Sequence, residues 1–244
     1  MRREEAIALK DKLIADMGRV GTLQVHLYAG PGVGKSTTRA LVFGELKRRG
    51  REVEDVPEYA KQLVYEGAQG KLAYQPLIAG KQLWKMRSLE GKVEAIITDT
   101  SSLFSVIYGG PENGVTDAFR AWLIDDYRSR NTLDFFLERD MNAVYNPNGR
   151  TQKSIPEALA ADQQIKDLLN EVGKPYKTIQ MRFSSRDERE HNEHIIDIAD
   201  DVERVLDLYT DSGLRLAQQR FTDLEAQRKI DREDDFASVL ALFQ

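Results

Sequence analysis

The sequence contains no cysteine, which removes disulfide frameworks, thiolate nucleophiles and thiolate metal sites in one step. It also lacks any apolar run near the roughly 18 residues that a membrane-spanning helix requires, so no membrane partner is expected. The opening MRREEAIALKDKL is charged and helix-patterned. A secretory leader needs a continuous apolar stretch, and without one the expectation is a cytoplasmic location. Internal repeats and low-complexity tracts are missing as well. So is the strong positive balance of a protein that grips duplex nucleic acid by charge alone. The formal net charge is −5, and it is unevenly spread, with 16 Asp/Glu against 8 Lys/Arg in residues 184–244. The remainder is mildly basic, which suits a phosphorylated ligand and leaves nucleic acid open as a partner.

What is present has an ordinary globular balance, 41% apolar and 31% charged over 244 residues. That is enough for one main α/β domain with a large core and a small appendage. Strands are predicted at 22–28, 52–56, 93–98, 132–137 and 176–181. Helices are predicted at about 3–17, 35–49, 60–66, 75–90 and 117–128, and from Ser154 onward. Gly50 and Gly91 stand where helices must stop, and Ser154 with Glu157 spells a capping box. Strands separated by helices call for right-handed crossovers, hence a parallel sheet of about five strands with helices on both faces. Two helices without a further strand fill 190–243, the second rich in i, i+4 charge pairs. The expected organisation is a helix at 1–20, a body at 21–183 and an acidic helical appendage at 184–244. The last helix can pack on the body, mediate a homo-oligomer or cover the binding site.

Between the first strand and the 35–49 helix runs Ala29-Gly30-Pro31-Gly32-Val33-Gly34-Lys35-Ser36. This is the G-x4-G-K-[ST] phosphate loop with Ala29 in its first position, and it assigns the chain to the three-layer α/β P-loop NTPase fold. The glycines let backbone N–H groups turn inward around a phosphate where side chains would obstruct it. Lys35 is expected at the β- and γ-phosphates, Ser36 on Mg²⁺, and Thr37 in the first turn of a helix whose dipole adds to the attraction. Residues 30–37 are therefore the expected cofactor-binding set, for ATP with Mg²⁺. Switches, motors, ATPases and kinases all share such a loop, so further residues must decide the reaction.

Ala95-Ile96-Ile97-Thr98-Asp99 delivers a carboxylate to the carboxyl end of a buried strand, where Asp99 can hold Mg²⁺ through water or accept a proton from an acceptor hydroxyl. The alternative is a turn-capping Asp. Thr100 follows it, where a motor-type ATPase carries a second acid to activate water. Glu58, just past the second strand, is a candidate to face the acceptor from the side opposite the phosphates, or else a dipole-stabilised helix N-terminal residue. Residues 139–153 have the turn-rich composition of a closing lid. Arg150 and, second, Arg139 are its candidates for neutralising charge on a transferred phosphoryl group, against the reading of solvated surface charge. His191 and His194 stand three apart on a helix, which reads as a solvated face rather than a metal pair. His26 reads as a hydrogen-bonded core residue.

In order, Pro57-Glu58-Tyr59-Ala60-Lys61, Ile97-Thr98-Asp99-Thr100-Ser101 with Tyr108 downstream, Leu123-Ile124-Asp125-Asp126-Tyr127 and Gly149-Arg150-Thr151-Gln152 resemble the motifs of the ribosylnicotinamide-kinase-like P-loop proteins, AAA-type in some classifications. The resemblance covers about residues 22–182. It implies ATP- and Mg²⁺-dependent phosphorylation of a hydroxyl on a nucleoside-type acceptor, with Lys35, Asp99, Glu58, Arg150 and Arg139 as catalytic residues and Ser36 and Asp99 at the metal. Ser101 departs from the family, whose nicotinamide riboside kinases tend to carry a second Asp there. The chain is also similar to phage-encoded kinases that phosphorylate 5-hydroxymethyluracil within DNA, which implies the host cytoplasm and a modified DNA base as partner. In that case Tyr59, Tyr65, Trp84 or Tyr108 can stack on an exposed base; the other reading of these aromatics is core packing. A non-transferring ATPase or nucleotide-dependent switch is the competing class.

Overall fold

The computed structural model describes residues 21–146, 154–182 and 188–209. The helix expected at 3–17, the C-terminal helix at 213–243 and the lid residues 147–153, Arg150 among them, lie outside the described residues. Thr22–Val202 forms one compact unit; Gly21 and Glu203–Tyr209 belong to a second.

Among the described residues five strands and seven α-helices follow in the order β1 (Leu23–Tyr28), α1 (Lys35–Arg48), β2 (Val53–Val56), α2 (Tyr59–Tyr65), α3 (Gln75–Arg87), β3 (Ala95–Thr98), α4 (Phe104–Tyr108), α5 (Asp117–Arg128), β4 (Thr132–Glu138), α6 (Ile155–Val172), β5 (Tyr176–Gln180) and α7 (Glu188–Tyr209). The strands form one sheet in the order β2-β3-β1-β4-β5, parallel at every pairing. This is the three-layer α/β P-loop architecture. The chain moves from β1 leftward to β2, then rightward for every later strand. Right-handed crossovers therefore carry α1 over one face and α3 to α6 over the other.

Burial follows from that layering. All six residues of β1 are buried, Gln24 and His26 included, because a central parallel strand is covered on both faces. Helix α1 presents Thr38, Val42 and Leu46, four residues apart, as its buried stripe. On the other face Tyr28, Phe104, Ile124, Tyr127, Phe136, Ile165 and Leu169 pack into one cluster. Helix α6 starts at Ser154, whose hydroxyl accepts from the Glu157 N–H and donates to the Glu157 carboxylate, and it stops at Gly173 with φ 76°. Helix α7 lies within the sheet-bearing unit as far as Val202, bonded there through Arg49–Asp200 and Lys177–Asp201. Two 3₁₀ turns, Gln69–Ala73 and Pro111–Asn113, and the five-residue α4 were not foreseen; such short pieces have no periodicity to read.

A buried polar chain braces β1. The Tyr28 hydroxyl donates to the Tyr127 hydroxyl at 2.8 Å, and Tyr127 donates to Asp134 Oδ1 at 2.6 Å. His26 Nδ1 lies 3.3 Å from the same oxygen, as a hydrogen-bonded core histidine should. Burial drives both phenol pKa values well above normal, so these tyrosines remain neutral donors. Tyr127→Phe removes the donor that satisfies a buried carboxylate and is expected to cost about 1–3 kcal/mol. Tyr28→Phe, which leaves Asp134 satisfied, should cost less; urea unfolding of the two variants checks the order.

Candidate functional site

Parallel pairing brings the carboxyl ends of β1, β2, β3 and β4 to one edge, and their loops meet there. In the loop after β1, Gly32 and Gly34 adopt φ of 82° and 94°, a left-handed backbone that side-chain-bearing residues rarely tolerate. Val33 is buried, Pro31 partly so, and Thr37 lies exposed on the first turn of α1. The Lys35 ammonium donates to the Ala29 carbonyl at 2.6 Å and the Gly30 carbonyl at 2.8 Å. Burial lowers the pKa of Lys35, while Glu58, Asp99 and Asp162 act to raise it and Arg139 to lower it. One lysine thus lies in the field of groups from four other parts of the chain.

Because β1 and β3 are direct neighbours, Ser36 and Asp99 meet: Ser36 Oγ donates to Asp99 Oδ2 at 2.5 Å. Asp99 is 2% exposed. Its other oxygen lies 3.3 Å from Arg39 Nε, too poorly aligned for a hydrogen bond, while Arg39 also grips Asp55 of β2. The donor set fits Mg²⁺, a hard cation that takes one or two carboxylates and completes its shell with water and substrate phosphates. Among the described residues no cluster of three or more His, Cys, Asp or Glu could hold a metal by itself.

Glu58 ends the loop after β2 and makes no capping bond with its side chain. Its pKa is raised, first by burial and then by Asp99, with Lys35 and Lys61 opposing. The next amide, Tyr59 N–H, donates to Gln82 Oε1 of α3 at 3.2 Å. Tyr108, at the end of α4, has its pKa pushed up to about 12 by desolvation and by the charges of Glu58 and Asp162. Of the aromatics considered for base stacking, Tyr65, Trp84 and Tyr108 are 81%, 63% and 47% exposed, while Tyr59 is partly buried. Lys81 stands over the Trp84 ring and Lys85 over Tyr59.

Arg139 is not the solvated charge of the alternative reading. It directly follows β4, is 6% exposed, and donates through Nε to Asp162 Oδ2 at 2.9 Å. Arg150 lies outside the described residues. His194 is likewise not solvated: it is buried, with Nε2 3.3 Å from Thr38 Oγ1 of α1. Sequence reasoning missed Arg39, Gln82 and Asp162. Only Arg39 carried a signal, standing one helical turn after Lys35 and so on the same face.

A raised Glu58 pKa has a consequence for stability. The folded state holds the Glu58 proton more tightly than the unfolded chain, so stability falls as pH rises from the ordinary glutamate range through the raised folded value. Glu58→Gln removes that loss. The Tm of E58Q minus that of the wild type is expected to be small near pH 4 and increasingly positive toward pH 8. A flat difference would mean Glu58 is well solvated, and one of opposite sign that Lys35 and Lys61 outweigh its burial.

Comparison with known proteins follows the same lines. No curated protein matches the chain. Residues 24–189, from β1 to the start of α7 and well over half of the sequence, match the family model described as AAA domain. With its phosphate loop, five-stranded parallel sheet and strand-end acid, the chain belongs to this family of P-loop nucleotide-binding domains.

Proposed function

We propose that the protein is a kinase that transfers the γ-phosphoryl group of ATP to a hydroxyl of a nucleoside-type acceptor. The observation that carries this reading is the 2.5 Å contact of Ser36 with the buried Asp99, followed by Thr100 rather than a second acid. Thr100 is 5% exposed and its N–H is engaged by Thr98 Oγ1, so that position offers nothing to activate water. Mg²⁺ would be held by Ser36 and Asp99 and, when bound, would neutralise charge between the β- and γ-phosphates. Lys35 would orient the phosphates. Asp99 or Glu58 would take the acceptor proton, and a raised Glu58 pKa brings a carboxylate nearer the value a base needs at neutral pH. Arg139, and Arg150 from the lid, would neutralise the transferred group. Little covalent chemistry is left to the protein; positioning and charge supply the catalysis.

The acceptor side is read from the face around Glu58. Residues 59–92 carry six Lys/Arg against two Asp/Glu in a chain of net charge −5, and that stretch bears the exposed Tyr65 and Trp84. Aromatic faces beside ammonium groups suit a base with its phosphates. A free nucleoside or nucleotide fits this, and so does 5-hydroxymethyluracil within DNA.

Incubation with γ-labelled ATP and nucleosides, nucleotides, nicotinamide riboside, or DNA with and without hydroxymethyluracil tests the reading. Label is expected on one acceptor; label found only as free phosphate, whatever acceptor is added, would make the protein an ATPase or switch. Lys35→Ala is expected to lower turnover by about 10²–10³-fold. Asp99→Asn should lower kcat, and an unchanged kcat would remove Asp99 from the reaction. Arg150→Ala should act mainly on kcat; a pure KM effect would make it a binding residue.

A further inference from the structure

We propose that Asp162 is a positioning residue that joins the phosphate loop to Arg139 and lets the site distinguish a nucleoside triphosphate from a diphosphate. Asp162 belongs to α6, far along the chain from the loop, and is 6% exposed. Its two oxygens have separate partners. Oδ1 accepts the Gly30 N–H at 2.5 Å, and Oδ2 accepts Arg139 Nε–H at 2.9 Å. Helix α6 comes so near the loop that a Cβ on Gly30 would stand 2.4 Å from Asp162 Oδ1 and 3.0 Å from the Ala158 carbonyl. Glycine is what permits this contact.

The arrangement leaves one group unsatisfied. Arg139 Nη2 is buried and has no hydrogen-bond partner, while Nε is committed to Asp162 and the Tyr145 ring lies 5.8 Å from the guanidinium carbon. A buried guanidinium N–H without an acceptor is costly, more so than a neutral donor. Its natural complement is an anionic oxygen, taken in the forked geometry that guanidinium offers. Arg139 and Asp162 both act on the charge of Lys35, which places the pair at the phosphate end of the site. The terminal phosphate of a triphosphate supplies the oxygen; a diphosphate does not. Asp162 fixes the direction of Nη2 by holding Nε, and fixes the loop by holding Gly30, so a single carboxylate keeps phosphate loop and arginine in register.

This inference rests on the phosphate-loop reading and not on transfer to an acceptor, so it is tested by binding. Affinities for Mg²⁺-ATP and Mg²⁺-ADP are measured by calorimetry for the wild type, Asp162→Asn, Arg139→Ala and the double variant, with the Tm of each. Asp162→Asn retains an acceptor for the Gly30 N–H and loses the charge that orients Arg139. Arg139→Ala and Asp162→Asn are each expected to weaken ATP about 10–100-fold and ADP by no more than about threefold. The double variant should be no weaker than Arg139→Ala, because Asp162 acts through that arginine. Equal losses for ATP and ADP in Asp162→Asn, or losses that add in the double variant, would overturn the proposal. Should Asp162→Asn fail to fold, Arg139→Lys decides: it keeps a cation beside Asp162 but lacks the fork, and retained preference for ATP would overturn the proposal equally.

Discussion

One partly buried ammonium organises this edge of the sheet. Lys35 is desolvated and lies in the field of Glu58, Asp99 and Asp162, which come from the loop after β2, the end of β3 and α6. An isolated buried charge is expensive, and partners are what make its burial tolerable. Each carboxylate is in turn answered by a second cation or donor: Asp99 by Arg39 and Ser36, Asp162 by Arg139 and the Gly30 amide. Glu58 has Lys61 as its second cation, and burial still pushes its pKa upward. The site is thus a mutually dependent set of charges, and removing one member leaves others buried without compensation.

Such a set constrains what binds. Lys35, Arg39 and Arg139 are already engaged by carboxylates or carbonyls, so a triphosphate must take over donors that now serve the protein. Lys35 can surrender the Ala29 and Gly30 carbonyls, which return to weaker roles on the loop. Arg139 need surrender nothing, since Nη2 has no hydrogen-bond partner. A divalent cation held beside Asp99, as proposed, would ease the exchange, because it would add positive charge where a polyanion enters among carboxylates.

The sequence made the fold legible because its signals were local. A strand-patterned β1, a glycine loop and a helix start follow one another within 20 residues, and the order of strands and helices after them leaves few topologies once crossover handedness is imposed. Asp99 and Glu58 were legible for a second reason: parallel sheets gather their functional loops at carboxyl ends. Asp162 was not, since it is an acid inside an amphipathic helix and meets Gly30 across 132 positions. Nor were Arg139 and His194 read as buried. Charge and imidazole predict exposure on average, and only packing against α6 and α1 reverses that average.

The same packing bears on the choice between transfer to water and transfer to a hydroxyl. Thr100, Ser101 and Ser102 after Asp99 are all buried, and the Ser101 hydroxyl accepts from the Leu103 N–H at 3.2 Å, closing this turn on its own backbone. The turn therefore faces the core. Carboxylates near Lys35 are then Asp99, already shared with Ser36 and Arg39, Asp162, divided between Gly30 and Arg139, and Glu58. Burial drives the Glu58 pKa upward, and Glu58 immediately precedes α2. On the proposed reading, Glu58 would take the proton of an acceptor hydroxyl held by the lysine-bearing stretch 59–92 rather than activate water.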